Sequence, residues 1–154
     1  MDWLVDLVTN KFLLVSLSSW LIAQVLKTIL YALATKKFDI KRLFGDGGMP
    51  SGHSATVTSL AVFSGLSFGF DSFQFAATGI LAIIVCHDAM GVRLETGKQA
   101  AAINEIIEAF ELLAPDKISE SNLKEFVGHT PIQVMAGILL GILNAIVMYF
   151  IILT

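Results

Sequence analysis

The chain has 154 residues, 55% of them hydrophobic and 15% charged, with a mean hydropathy of +0.76, a balance that excludes an ordinary soluble domain and points to a membrane. Its net charge of −3, without a dominant basic tract, excludes an electrostatic grip on nucleic acid. The single cysteine, Cys86, sits in an apolar run, which excludes an intrachain disulfide and, with the histidines scattered, gives no convincing metal site.

Met1-Asp2-Trp3 opens the chain without a basic leader or a small-residue cleavage site, so the first span is expected to be retained. That span runs over about 12–33 and is apolar except for Gln24 and Lys27, which lie three apart and share a helix face. A lysine at membrane depth either faces the bundle interior or snorkels to an interface. The second span, 52–70, carries no charge from Ser54 to Phe70 and is rich in Ser, Thr and Gly, residues that permit close helix packing. After a short turn at Asp71-Ser72 the third span covers 73–90, with His87 and Asp88 near its end, and makes a tight hairpin with the second. Val92 to Leu113 reads as an amphipathic helix, with Ile103, Ile106, Ile107, Phe110 and Leu113 at helical spacing and Glu105, Glu108 and Glu111 elsewhere. Ala114-Pro115-Asp116 ends it, and 119–128 reads as a short polar helix or loop. The last span, 131–153, has no charged side chain. The expected architecture is all-α: a polytopic membrane helical bundle of about four transmembrane helices, with an amphipathic connection over 92–128, forming a single integral membrane domain over 1–154.

The basic residues of the connections give an orientation. Lys36, Lys37, Lys41 and Arg42 lie in one, and Arg93, Lys98, Lys117 and Lys124 in the other, and four spans put both on one side. The opposite side has only Lys11, so the positive-inside tendency places the basic connections in the cytoplasm of a multi-pass cell-membrane protein. The small-residue stripe Gly137 to Gly141 invites packing against a neighbour, so a homo-oligomer is expected.

Two clusters carry chemistry. Gly45-Asp46-Gly47-Gly48-Met49-Pro50-Ser51-Gly52-His53-Ser54 is a Gly-rich approach to the second span, where unpaired N–H groups and the positive end of the helix dipole form an anion site. Ser51 or Ser54 can cap that helix, leaving His53 in its first turn. The plain alternative is a capped helix with an interfacial histidine. The arrangement recurs at the last span: Thr130 suits the N-cap, Pro131 suits the first helical position, and Gln133 completes a capping box beside His129. Histidines on one side of a membrane, each beside a positive helix end and near several cations, suit a phosphate monoester.

Pro50-Ser51-Gly52-His53 and His129-Thr130-Pro131-Ile132-Gln133-Val134 resemble the second and third signature motifs of the type 2 phosphatidic acid phosphatase and vanadium haloperoxidase superfamily. With Asp88-Ala89-Met90-Gly91-Val92-Arg93 added, nearly the whole chain resembles its short, divergent membrane branch. The resemblance implies an integral membrane phosphatase acting without a cofactor or metal on a phosphorylated lipid among the membrane lipids: phosphatidylglycerophosphate, phosphatidate or a polyprenyl phosphate. His129 would attack phosphorus as a neutral imidazole to form a phosphohistidine, and His53 would protonate the leaving oxygen and then help activate water. Ser51 and Gly52 match the backbone part of the phosphate cradle.

The first superfamily motif, a Lys followed at fixed spacing by Arg-Pro, has no counterpart, since Lys36 and Arg42 are one residue too close and lack the proline. Lys27, Arg93 and Lys124 are therefore the candidate phosphate ligands, each with an alternative reading as a snorkelling or solvated cation. Gln133 stands where the third motif has a carboxylate. It can orient His129 but supplies no charge, so either turnover falls, or Gln133 serves mainly the capping box with Thr130, or Asp88 supplies the acid. A non-catalytic membrane protein that keeps the pocket to bind anionic lipid or to assemble is the competing expectation.

Overall fold

Long apolar runs with a capping residue before each leave the backbone little choice but helix. The computed structural model describes residues 2–36, 48–113 and 128–153, apart from the side chains of 92–94, 110–113 and 153. The helices are α1 (Asp2–Val8), α2 (Lys11–Thr35), α3 (Gly52–Phe68), α4 (Phe73–Met90), α5 (Val92–Leu113) and α6 (Pro131–Leu153), with no strand among the described residues. Asn10 caps α2 by accepting from the Phe12 and Leu13 N–H groups at 3.0 and 3.2 Å. Ser72 caps α4 by accepting from the Phe75 N–H at 3.2 Å. Gly69, at φ +94°, follows the last residue of α3, Phe68, two residues short of the expected Phe70 boundary, and sends its N–H back to the Gly65 carbonyl at 2.9 Å. The short helix α1 was not expected from the sequence; it contributes no buried residue.

The contacts fix the directions. Phe12 of α2 packs on Phe63 and Phe68 of α3, both at 5.2 Å between ring centroids, while Trp20 lies against Gly52 at the opposite end, so α2 and α3 are antiparallel. Gly137 of α6 faces Ser51 and Ser54, Gly141 faces Ala55, Thr58 and Ser59, and Tyr149 reaches Phe63, so α6 runs parallel to α3. α4 returns antiparallel to α3, with Phe75 on Phe70 at one end and the Ala89 carbonyl accepting from the His129 N–H at the other. The N-termini of α3 and α6 and the C-terminus of α4 therefore meet at one end of the bundle.

The interior of this bundle is small and polar. Ser16, Ser19, Gln24, Lys27, Thr28, Ser54, Thr58, Ser59, Ser64 and Asn144 are buried beside Val15, Ala23, Ala55, Phe63 and Ala145. The outside is apolar, with Phe73 83%, Ile132 72% and Ile83 70% exposed. In water such a surface would drive association, whereas lipid tails are as apolar as these side chains and leave helices to pack through small residues and hydrogen bonds. Asn144 makes such a polar tie, donating to the Val15 carbonyl at 3.1 Å and to the Ser18 and Ser19 hydroxyls at 3.0 and 2.8 Å.

Three stretches among the described residues are long and apolar enough to cross a membrane: Lys11–Thr35, Phe73–Ala109, which runs through α4 past the turn at Gly91 into α5, and Pro131–Ile152. α3 is shorter, at 17 residues, and packs among α2, α4 and α6. Gly137 and Gly141 are taken up within the chain: a Cβ on Gly137 would stand 2.5 Å from the Ser51 carbonyl oxygen, and one on Gly141 2.6 Å from that of Ala55. α5 is a helix over the segment read as amphipathic; Ala100 and Asn104 are buried on it, and Ile103 and Ile106 are 44% and 56% exposed.

Candidate functional site

The sequence Thr130-Pro131-Ile132-Gln133 starts α6 with a complete capping box. The Gln133 N–H donates to Thr130 Oγ1 at 3.4 Å, and Gln133 Oε1 accepts from the Thr130 N–H at 3.1 Å. The same Oε1 lies 3.3 Å from His129 Nδ1, so one glutamine oxygen caps the helix and holds the ring. With Nδ1–H donating to that oxygen, Nε2 is the nitrogen left with a lone pair. His129 is only 3% exposed, and its backbone N–H is tied to Ala89 of α4 at 3.0 Å.

Ser51 caps α3, resolving the choice between Ser51 and Ser54: its Oγ accepts from the Ser54 N–H at 3.3 Å and from the Ser54 hydroxyl at 3.0 Å. Its own N–H donates to the Gln133 carbonyl at 3.0 Å, so the two motifs are joined backbone to backbone. The Ser51 N–H is thus engaged with α6, while its Oγ accepts within α3. Gly52 follows in the first turn of α3, where the leading N–H groups point out of the helix start. His53, next in line, is exposed, and its ring centroid lies 6.1 Å from that of His129, with the planes inclined at 58°.

α2 brings a buried lysine to the approach to α3. Lys27 is only 6% exposed, so it faces the bundle interior rather than snorkelling away. Its stem passes Gly48, where an added Cβ would stand 3.1 Å from Lys27 Cγ. Gly48, at φ +87°, thus lets the motif's approach close over the lysine. Gln24 and Trp20 continue the same face towards Gly52: a Cβ there would lie 3.4 Å from Trp20 Cδ1 and 4.0 Å from Gln24 Nε2. Asp88 is half-buried on α4, next to the Ala89 carbonyl that receives His129, and His87 is exposed. The side chain of Arg93 and the whole of Lys124 lie outside the described residues, so neither is placed relative to the histidines.

Beside His53 opens an apolar groove of about 410 Å³, lined by Leu17, Trp20, His53, Thr56, Val57 and Val85. Sequence reasoning did not single out this groove, nor Trp20; the signal was there in Leu17, Trp20, Gln24 and Lys27, which recur at helical spacing on one face of α2.

An all-α membrane bundle that gathers two histidine motifs at paired helix starts defines a class, and the comparisons place the chain in it. It belongs to the Divergent PAP2 family, whose model matches residues 8–144. It is also similar to a Bacillus subtilis (strain 168) protein described as "Uncharacterized membrane protein YuiD", at 39% identity over 154 residues, covering 94% of this chain and 98% of that one. No solved structure matches it.

Proposed function

We propose that this membrane protein is a lipid-phosphate phosphatase working through a phosphohistidine at His129. The observation that carries the reading is the 6.1 Å approach of the His53 and His129 rings, across helix N-termini that the Ser51–Gln133 bond locks together. An in-line displacement needs the nucleophilic nitrogen about 3 Å from phosphorus and the acid about 3 Å from the leaving oxygen, which separates the two nitrogens by roughly 7 Å. A ring separation of this order accommodates that line.

His129 Nε2 forms a bond to phosphorus as the phosphorus–ester oxygen bond breaks, and His53 gives its proton to the departing oxygen, releasing the lipid alcohol. His53 then takes a proton from water as that water's oxygen attacks the phosphohistidine. The phosphorus–nitrogen bond breaks, inorganic phosphate leaves, and both rings return to their starting states. Lys27 and the first-turn N–H groups at Gly52 and His53 stabilise the charge on the phosphoryl oxygens, and Arg93 and Lys124 are assigned the same task. Gln133 fixes the His129 tautomer, Thr130 fixes Gln133, and Asp88, one residue before the carbonyl that holds the His129 backbone, is assigned the negative charge that Gln133 lacks. In this reading α2, α3, α4 and α6 span the cell membrane, α3 as the enclosed member, with the basic connections and the site at the cytoplasmic face. The protein in lipid nanodiscs should release phosphate from phosphatidate, phosphatidylglycerophosphate or a polyprenyl phosphate, and His129→Ala should abolish the release. Equal activity in that variant sinks the mechanism.

One observation favours a second reading, a lipid binder without turnover: the group holding His129 is an uncharged amide. Gln133→Glu separates the two, because it should raise phosphate release by the enzyme and leave a binder silent.

A further inference from the structure

The groove beside His53 has a direction. Trp20 stands at Gly52, the first residue of α3: a Cβ there would lie 3.4 Å from Trp20 Cδ1 and 3.7 Å from Nε1. α2 runs antiparallel to α3, so Leu17, three residues earlier in α2, stands about a turn deeper, level with Thr56 and Val57. Val85 lines the groove from α4, four residues before the Ala89 carbonyl that receives the His129 N–H. The groove therefore starts at His53 and runs along the helices, away from the site and into the apolar body of the bundle. A lipid chain in a bilayer takes the same course below its head group.

Its lining describes the chain. Leu17, Val57 and Val85 carry no polar side-chain atom, and the Thr56 hydroxyl donates to the Gly52 carbonyl at 2.7 Å, so its proton is spent within α3. Below the end formed by His53 and Trp20, the lining side chains therefore offer no free N–H or O–H. A glycerolipid carries ester carbonyls within a few bonds of its phosphate ester. Each is an acceptor that leaves its donors behind when it enters such a surface. A plain hydrocarbon loses nothing there. The second groove points the same way: it measures about 400 Å³, lies between α3, α4 and α6 along Thr58, Cys86, Met90 and Ile138, and is lined by neither His53 nor His129. One chain, not two, has a place at the acid.

Resting on the phosphatase reading for the roles of His53 and His129, we propose that the groove lined by Leu17, Trp20, Thr56, Val57 and Val85 holds the leaving alcohol. It selects a single chain that is hydrocarbon from the ester carbon onward, so the preferred substrate is a polyprenyl or long-chain alkyl phosphate and not a diacylglycerol phosphate.

The test pairs heptadecyl phosphate with 2-(tetradecanoyloxy)ethyl phosphate, which has a chain of the same length but carries one ester group close to the phosphate. Turnover of each by the full-length protein is measured in nanodiscs at equal surface concentration, and binding of each by native mass spectrometry on the His129→Ala protein. One ester carbonyl left without a donor should give the alkyl phosphate about a tenfold advantage in both. Leu17→Gln, at a position 58% exposed, sets amide N–H donors on the groove and should move the ratio toward parity by raising the ester analogue, a gain that a misfolded protein does not give. Dioleoyl phosphatidate, with two chains and two esters, should turn over more slowly than heptadecyl phosphate. Parity in the parent protein, a preference that Leu17→Gln leaves unchanged, or faster turnover of the phosphatidate overturns the assignment. Should Leu17→Gln fail to fold, the ratio in the parent protein still decides. A tenfold binding preference with no turnover of any of these lipids overturns the phosphatase reading and keeps the groove, so the two failures are distinct.

Discussion

α3 and α4 are neighbours in the chain, 17 and 18 residues long, and joined by the turn at Gly69 to Ser72, yet they meet different solvents. Nine residues of α3 are buried, from Gly52 to Gly65, most of them Ser, Thr, Ala or Gly, whereas α4 buries only Cys86 and Ala89 and turns Phe73, Ile80, Ile83 and Ile84 outward. The more hydrophobic helix is the more exposed one. In a bilayer this order is expected: apolar side chains gain nothing by leaving lipid, while small and hydroxyl-bearing ones gain close contact and partners by leaving it. The catalytic proposal depends on the difference, because only a helix of small residues lets α2 and α6 approach closely enough to bring Lys27, His53 and His129 to one end.

The sharpest way to break the contrast is at the α3–α6 seam. Gly137→Leu places a side chain where the first added carbon already meets the Ser51 carbonyl oxygen at 2.5 Å and Ser54 Cβ at 3.0 Å. Both contacts belong to backbone or to the start of a capped helix, so neither can swing aside. The expected outcome is separation of the helices, loss of the Ser51–Gln133 bond and loss of phosphate release, at a cost of about 3 kcal/mol or more. Helicity by circular dichroism should persist while detergent titration shows a looser protein. Full activity in Gly137→Leu breaks the argument that the seam sets the histidine spacing.

An interior polar tie should matter less. Asn144→Leu removes the donor shared by Val15, Ser18 and Ser19, leaving hydroxyls that can return to carbonyls of their own helix. Hydrogen bonds between membrane helices average about 0.6 kcal/mol and reach about 1.7, so the variant should lose roughly 1 kcal/mol in an unfolding titration. It lies away from the histidine end, and its turnover at saturating substrate should be unchanged.

What was legible in the sequence divides along the same contrast. Helices whose signal is apolar length were readable to within two residues, as at α2, α4 and α6, and so were caps with a chemical signature, Thr130 with Gln133 and Ser51 before Gly52. His53 and His129 both stand at helix starts, as read from the sequence, and the bundle brings those starts to one end. The use of small residues was not readable, because a Gly-xxx-Gly stripe fits any helix with a complementary face. Gly137 and Gly141 suggest a second chain, but Ser51, Ala55 and Thr58 of the same chain supply that face. Backbone commitments are equally silent in sequence: the motif did not show that the Ser51 N–H donates to the Gln133 carbonyl. Gln24 was visible only as a polar residue sharing a face with Lys27, since its burial is a property of the packed bundle.

The smallest effect belongs to the outer face of α4. Ile83 is 70% exposed, and in a soluble protein an isoleucine so exposed would gain from truncation if water covered it and lose if a partner did. In lipid the deleted methyl groups are replaced by hydrocarbon in both the folded and the separated states, so the transfer contribution cancels and no cavity forms. Ile83→Ala should therefore change stability by less than about 0.5 kcal/mol and leave phosphate release untouched. The same substitution also tests for a second copy of the chain: a homo-oligomer can no longer rely on Gly137 and Gly141 and must bury an outer face instead. A loss of about 2 kcal/mol or more in Ile83→Ala, together with a crosslinked dimer that the variant abolishes, would show that α4 packs on protein rather than lipid. The contrast between the two helices would then mark inner and outer layers of a larger assembly.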